Sequence, residues 1–179
     1  ERVATFLGYA CWDGDVHGRR EHRRCDGAAQ RLLAQDPTIA GDSIYTAVVC
    51  GDIEAVKRFI GSAPDAARTR GGARGWTPIL YLAYTRFTHQ PTLEHAASIA
   101  DVLLDHGADP NDFYMAGDAQ YDVLAGIAGE GEQDSPRQPY AIPLFQRLLE
   151  RGAQPFNIQV LYNTHFRGDM VWWLELVYA

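Results

Sequence analysis

Two short segments, Gly107-Ala108-Asp109-Pro110-Asn111 and Gly152-Ala153-Gln154-Pro155-Phe156-Asn157, constrain this chain more than any others. Each closes an apolar run with helical character, residues 99–106 in the first case and 143–151 in the second. A glycine after such a run readily takes the left-handed conformation that ends a helix. The proline that follows cannot continue one. A recurring helix-stop-turn unit marks a repeat protein, in which each unit buries its apolar face against its neighbours. Such proteins more often bind than catalyse.

Composition agrees with a globular chain. Hydrophobic residues make up 46% and charged residues 22% of the 179, enough for a real core in one domain. The net charge of -7 argues against nucleic acid as a partner, because that surface needs clustered positive charge. Lys57 is the only lysine, and with many Ala, Gly and Asp residues the usage suggests a GC-rich bacterial gene. Cys11, Cys25 and Cys50 are too few and too irregular for a disulfide scaffold, so a reducing, cytoplasmic setting is expected. No apolar stretch is long enough for a membrane span, and no signal peptide is visible. The chain begins at Glu1 and ends inside the apolar run 170–178, so residues are expected to be missing from one or both ends.

Read along its length, the chain is expected to be all helix, with no strand. Residues 3–12 form a helix, 13–24 a polar loop, and 28–35 a short helix ended by Asp36-Pro37. Asp42 and Ser43 cap a helix over 44–50, Gly51 breaks it, and Asp52 caps a second helix over 53–63. Residues 70–75 are a turn. Thr77 and Pro78 open a helix to about residue 87, with threonine as N-cap and proline at the first helical position. Residues 88–92 are an insertion before a helix over 93–106. A finger (111–120), a glycine-containing helix (121–129) and an acidic loop (130–139) precede a helix over 141–151. A last pair spans 157–167 and 169–178, broken at Gly168.

These features resemble the ankyrin-repeat family. Gly75-Trp76-Thr77-Pro78-Ile79-Leu80 is similar to the family's Thr-Pro-Leu-His start, with leucine in place of histidine. Gly51-Asp52-Ile53-Glu54-Ala55-Val56 resembles the middle of the unit, Gly107–Asn111 and Gly152–Asn157 its end, and Gly168-Asp169-Met170 the beginning of another copy. The resemblance implies an α-solenoid of helix-turn-helix units over one domain, residues 1–179. A degenerate unit (about 1–41) precedes units at about 42–71, 72–112, 113–156 and 157–179. The two Gly-Ala endings lie about 45 residues apart against about 33 in a standard unit, and the surplus falls in the finger and the acidic loop.

The resemblance further implies a non-enzymatic module that binds a partner protein through turn tips and first helices. The residues so placed are Arg74, Trp76, Tyr84 and Thr85, with Tyr114, Met115, Tyr121, Tyr162 and His165 as neighbours. Tyr, Trp and Arg are also the usual interface anchors. The competing reading is that the aromatics, Tyr81 and Trp173 included, fill spaces between repeats.

Other chemistry is weaker. Cys11, His17, His22 and Cys25 could supply four zinc ligands, but the spacing matches no standard finger. Arg19, Arg20, Arg23 and Arg24 could meet phosphate or an acidic partner, or be a solvated loop. Glu130, Glu132 and Asp134 lack the ordered calcium-loop pattern. Cys50 has no evident base, and His89, His95, His106 and His165 are scattered. The glycine-rich residues 71–75 lack the Gly-Lys-Ser/Thr of a phosphate loop. No cofactor or metal is expected. A small-ligand or enzymatic site in the insertion 113–139 is the alternative function.

Overall fold

The computed structural model describes residues 1–12, 18–130, 134–156, 158–165 and 171–178. The described chain is mainly helical. In order come α1 (Arg2–Ala10), α2 (Arg19–Gln35), α3 (Ile44–Cys50), α4 (Ile53–Ser62), α5 (Pro78–Tyr84) and α6 (Gln90–Asp105). The strands β1 (Phe113–Ala116) and β2 (Ala119–Asp122) follow, then α7 (Val123–Ala128), α8 (Ala141–Glu150), α9 (Ile158–His165) and α10 (Val171–Tyr178).

The sequence explains the helix ends. Ser43 caps α3 through a reciprocal pair: its Oγ accepts from Thr46 N, and Thr46 Oγ1 accepts from Ser43 N at 3.1 Å. Gly51 then turns left-handed at φ 74°. Asp52 starts α4 by accepting from Ala55 N at 2.9 Å. Gly107 and Gly152 end their helices at φ 86° and 94°.

The helices sort by burial. All seven residues of α5 and all six of α7 are buried, and in α3 only Tyr45 is partly exposed. A helix apolar on every side needs neighbours on every side. Accordingly α3 lies against α1, α4 and α5; α5 against α6 and α7; and α7 against α8 and α9. The amphipathic helices α4, α6 and α8 pack in sequence on one another outside this row.

Four local expectations are corrected. First, residues 113–122 form an antiparallel hairpin, pairing Phe113 with Asp122 and Tyr114 with Tyr121. Second, α2 begins at Arg19, so much of the expected polar loop is helical. His22 is buried beside the Trp12 ring, and Arg24–Glu21 and Gln30–Asp26 contacts brace the exposed face. Third, the helix opened by Thr77-Pro78 stops at Tyr84, because the next residues pair with the N-terminal segment: Trp12 N donates to Tyr84 O at 3.0 Å, and Arg86 N to Ala10 O at 2.8 Å. Fourth, α6 starts at Gln90, with Pro91 in its first turn rather than in an insertion. Its leading side chains take the carbonyls where α3 ends: Thr92 Oγ1 donates to Val49 O, His89 Nδ1 bonds Cys50 O, and His95 Nδ1 bonds Gly51 O. Gly168, the expected break in the last helix pair, and the motif copy starting there lie outside the described residues.

Candidate functional site

The hairpin and the 70–76 turn face each other across an open groove of about 610 Å³. Arg70, Arg74 and Trp76 line one side and Phe113, Tyr114 and Met115 the other. The turn is closed by the Gly71–Trp76 bridge, in which Gly71 N donates to Trp76 O at 3.0 Å. Tyr81 reaches back from α5 beneath it: its hydroxyl accepts from Arg74 N at 2.9 Å and donates to Gly71 O at 3.1 Å. Burial pushes the Tyr81 phenol up to about 12, so it keeps its proton, and its bond to Gly71 O, well into the alkaline range.

Asp112 locks turn and hairpin together. Its carboxylate accepts from Arg70 Nη2 at 2.5 Å, Thr77 Oγ1 at 2.5 Å and Phe113 N at 2.8 Å. Arg70 also donates to Phe113 O at 2.9 Å. Thr77 therefore occupies the N-cap position of α5 while its side chain serves Asp112 rather than the helix. Arg74 lies over the Trp76 ring at 5.2 Å and donates to Gly8 O and Cys11 O. These carbonyls stand at the C-terminal end of α1, where a cation is favoured.

Behind the groove the aromatic rings form a continuous layer. Trp76 meets Tyr114 at 4.7 Å and Tyr84 at 5.2 Å; Tyr114 stacks on Tyr121 at 5.5 Å; Trp12 stacks on Tyr84 at 5.9 Å. Tyr84 donates its hydroxyl to Asp122 O at 2.8 Å. Burial, reinforced by Tyr114 and Asp122, holds its phenol well above the ordinary value of 10.0.

The expected contact residues therefore separate. Arg74, Trp76, Tyr114 and Met115 converge on the groove, with Met115 54% exposed. Tyr84 and Thr85 are fully buried and Trp76 is 4% exposed, so these three pack behind the groove rather than present an exposed surface. Thr85 Oγ1 donates to Ala10 O at 3.3 Å, at the seam with the N-terminal segment. Tyr121 is half-buried under Tyr114. Tyr162 and His165 are exposed on α9, where their rings pair at 5.5 Å, and neither lines the groove. Arg70 and Phe113 were not among the residues the sequence singled out as contacts; the signal was the Gly117-Asp118 pair, which closes a hairpin and brings Phe113 opposite Arg70.

Of the other candidates, Cys50, His89 and His95 line one cavity of about 350 Å³ at the end of α3, while the described residues of the cysteine–histidine and acidic-loop groups do not gather into a site. Cys11 is buried with its Sγ toward Tyr81 O, its thiol pushed up by burial to about 12, and Cys25 is half-buried; His17 lies outside the described residues. Burial also pushes the Cys50 thiol up to about 12. In the acidic loop Glu130 faces Arg137 at 3.2 Å and Asp134 faces Arg19 at 3.1 Å, while Glu132 lies outside the described residues. Among the described residues no group of three or more His, Cys, Asp and Glu side chains could hold a metal ion, and no helix is long and apolar enough to cross a membrane. The chain matches no family model, and neither a curated protein nor a solved structure is significantly similar to it.

Proposed function

We propose that this chain is an ankyrin-like α-solenoid that works as a non-enzymatic module in the cytoplasm, holding a partner protein in the groove between the 70–76 turn and the β1–β2 hairpin. The order of largely buried inner helices and amphipathic outer helices, each set packed in sequence, supports the architecture. Three free cysteines, two of them buried, support a reducing compartment.

The groove carries the functional reading. Its rim sets the Arg70 guanidinium, paired with Asp112, and the Arg74 guanidinium, which donates to Gly8 O and Cys11 O, beside exposed Phe113 and Met115, a rigid surface that suits an apolar side chain on the partner. Asp112, the Tyr81 hydroxyl and the ring layer fix the rim before binding, so association costs little conformational entropy.

The test begins with a photo-crosslinking residue at position 115, and at Arg58 on α4 as control. The protein captured from position 115 alone is identified and purified, and its affinity is measured by calorimetry for the parent, Arg70→Ala and Met115→Ala. Each substitution is expected to weaken binding about tenfold, the effect of losing one interface anchor. Equal capture from both positions, or unchanged affinity in both variants, would refute the proposal.

A further inference from the structure

A second, smaller cavity of about 190 Å³ lies on another part of the molecule, between α2, the segment joining α5 to α6, and Pro136 of the acidic loop. Its wall is unusually basic for an acidic protein. Arg19, His22 and Arg23 come from consecutive turns of α2 and Arg86 from the joining segment. Helical spacing puts the three α2 residues on one face.

Arg86 distinguishes this cavity from a solvated basic patch. It is 5% exposed, yet no carboxylate among the described residues pairs with it. Its acceptors are all neutral: Ser135 Oγ at 3.3 Å from Nε, Ala83 O at 3.2 Å and Thr85 O at 2.9 Å from Nη1, and Gly126 O at 2.6 Å from Nη2. One Nη2 hydrogen therefore has no acceptor among the described residues. The Trp12 ring lies 5.4 Å away on one side. Burial lowers this guanidinium to about 10, which leaves it a cation at neutral pH. A buried charge without a counter-ion is costly.

The remaining charges around the cavity do not cancel it. Arg19 is held by Asp134. Asp26, the one carboxylate on the wall among the described residues, accepts from Thr88 N, Thr88 Oγ1 and Gln30 Nε2. Arg23 is exposed and makes no ion pair among the described residues. Among the described residues three guanidiniums thus stand against two carboxylates, with the His22 ring beside them.

We propose that this cavity is a binding site for a small oxyanion, a phosphate group, held by Arg86 from within and by Arg23 and Arg19 at the mouth. The ligand's charge supplies the counter-ion that Arg86 lacks among the described residues, and its oxygens accept the remaining Nη2 hydrogen.

Calorimetry at neutral pH and constant ionic strength tests this, with inorganic phosphate and phenyl phosphate as separate ligands. One site per chain is expected. Arg23→Ala should weaken it about tenfold, the effect of one charge-assisted hydrogen bond, and Arg86→Met should abolish it. Arg70→Ala, in the other groove, should leave it unchanged. Should Arg86→Met fail to fold by circular dichroism, the Arg19→Ala/Arg23→Ala double variant decides instead, since both positions are on the surface. Binding of both ligands identifies a phosphomonoester on a larger molecule; binding of inorganic phosphate alone identifies the free ion. No binding of either at millimolar concentration, or binding that survives the double variant, overturns the proposal.

Discussion

Gly126→Ala should destabilise the protein, although the same change in most helices stabilises it. Gly126 lies inside α7, where alanine is favoured over glycine by about 1 kcal/mol. A Cβ there would stand 2.4, 2.6 and 2.7 Å from three atoms of the Tyr84 ring. The ring cannot retreat: Trp12, Trp76 and Tyr114 surround it, and its hydroxyl is tied to Asp122 O. Overpacking of this kind costs about 3 kcal/mol when the neighbour is fixed, leaving a net loss of about 2 kcal/mol. For a chain of this size that lowers Tm by roughly 4–8 °C. Gly61→Ala is the matched control. It also lies in a helix, α4, but is exposed with nothing within 4 Å of its Cβ position, so it should raise Tm by about 2 °C. Thermal unfolding followed by circular dichroism measures both. In a Tyr84→Ala background, adding Gly126→Ala should become neutral or stabilising, because the clash is gone. A Gly126→Ala protein as stable as the parent, or a penalty that persists without the Tyr84 ring, refutes the reasoning.

Gly51→Ala should be worse than Gly126→Ala in the same assay, since its φ is 74° and a Cβ would lie 2.3 Å from the Pro91 carbonyl carbon, which is backbone. Asp112→Ala should cost about 2 kcal/mol in urea unfolding, because Arg70, Thr77 and Phe113 N lose a shared acceptor. Stability should fall as pH rises from about 9 towards 12: Cys11, Cys50 and Tyr81 keep their protons in the folded chain up to about 12, while the unfolded chain releases them near 9.0 for the thiols and 10.0 for the phenol. Arg86 acts in the opposite sense above about 10. Cys50→Ala should flatten the decline without abolishing it, because Cys11 and Tyr81 still contribute, as urea midpoints across this range will show. In native protein Cys25 should be alkylated well before Cys11 and Cys50, which mass spectrometry resolves.

Backbone punctuation was the part of the fold written most plainly in the residues. Ser43, Asp52, Gly51, Gly107 and Gly152 act locally, through one cap or one positive φ, so their neighbours in sequence reveal them. The hairpin had a signal too, Gly117-Asp118 between short segments containing tyrosine, but the surrounding helical pattern outweighed it. The end of α5 had none, because Thr85 and Arg86 leave the helix for a partner far away in sequence. The same distance hid the roles of the site residues. Trp76 and Tyr84 are residue types common at interfaces, and only packing shows that they are buried behind the groove. Arg86 reads as a polar residue at the edge of an apolar run; that it is buried without a carboxylate partner among the described residues becomes visible once α2, Ser135 and Pro136 are brought around it.

The pairing of residues 10–12 with 84–86 has a consequence in time. Ala10 and Thr85 are 75 positions apart. At about 5–20 residues per second of synthesis, the N-terminal helix waits roughly 4–15 s before its anchoring strip exists. An array held only by adjacent units can fold in the order it is made. Here α1 is completed only after α2 to α5 have been made, and until the 84–87 strip arrives Phe6 and Trp12 lack part of their cover. In a nascent chain arrested before residue 84, this end is where a chaperone should be found.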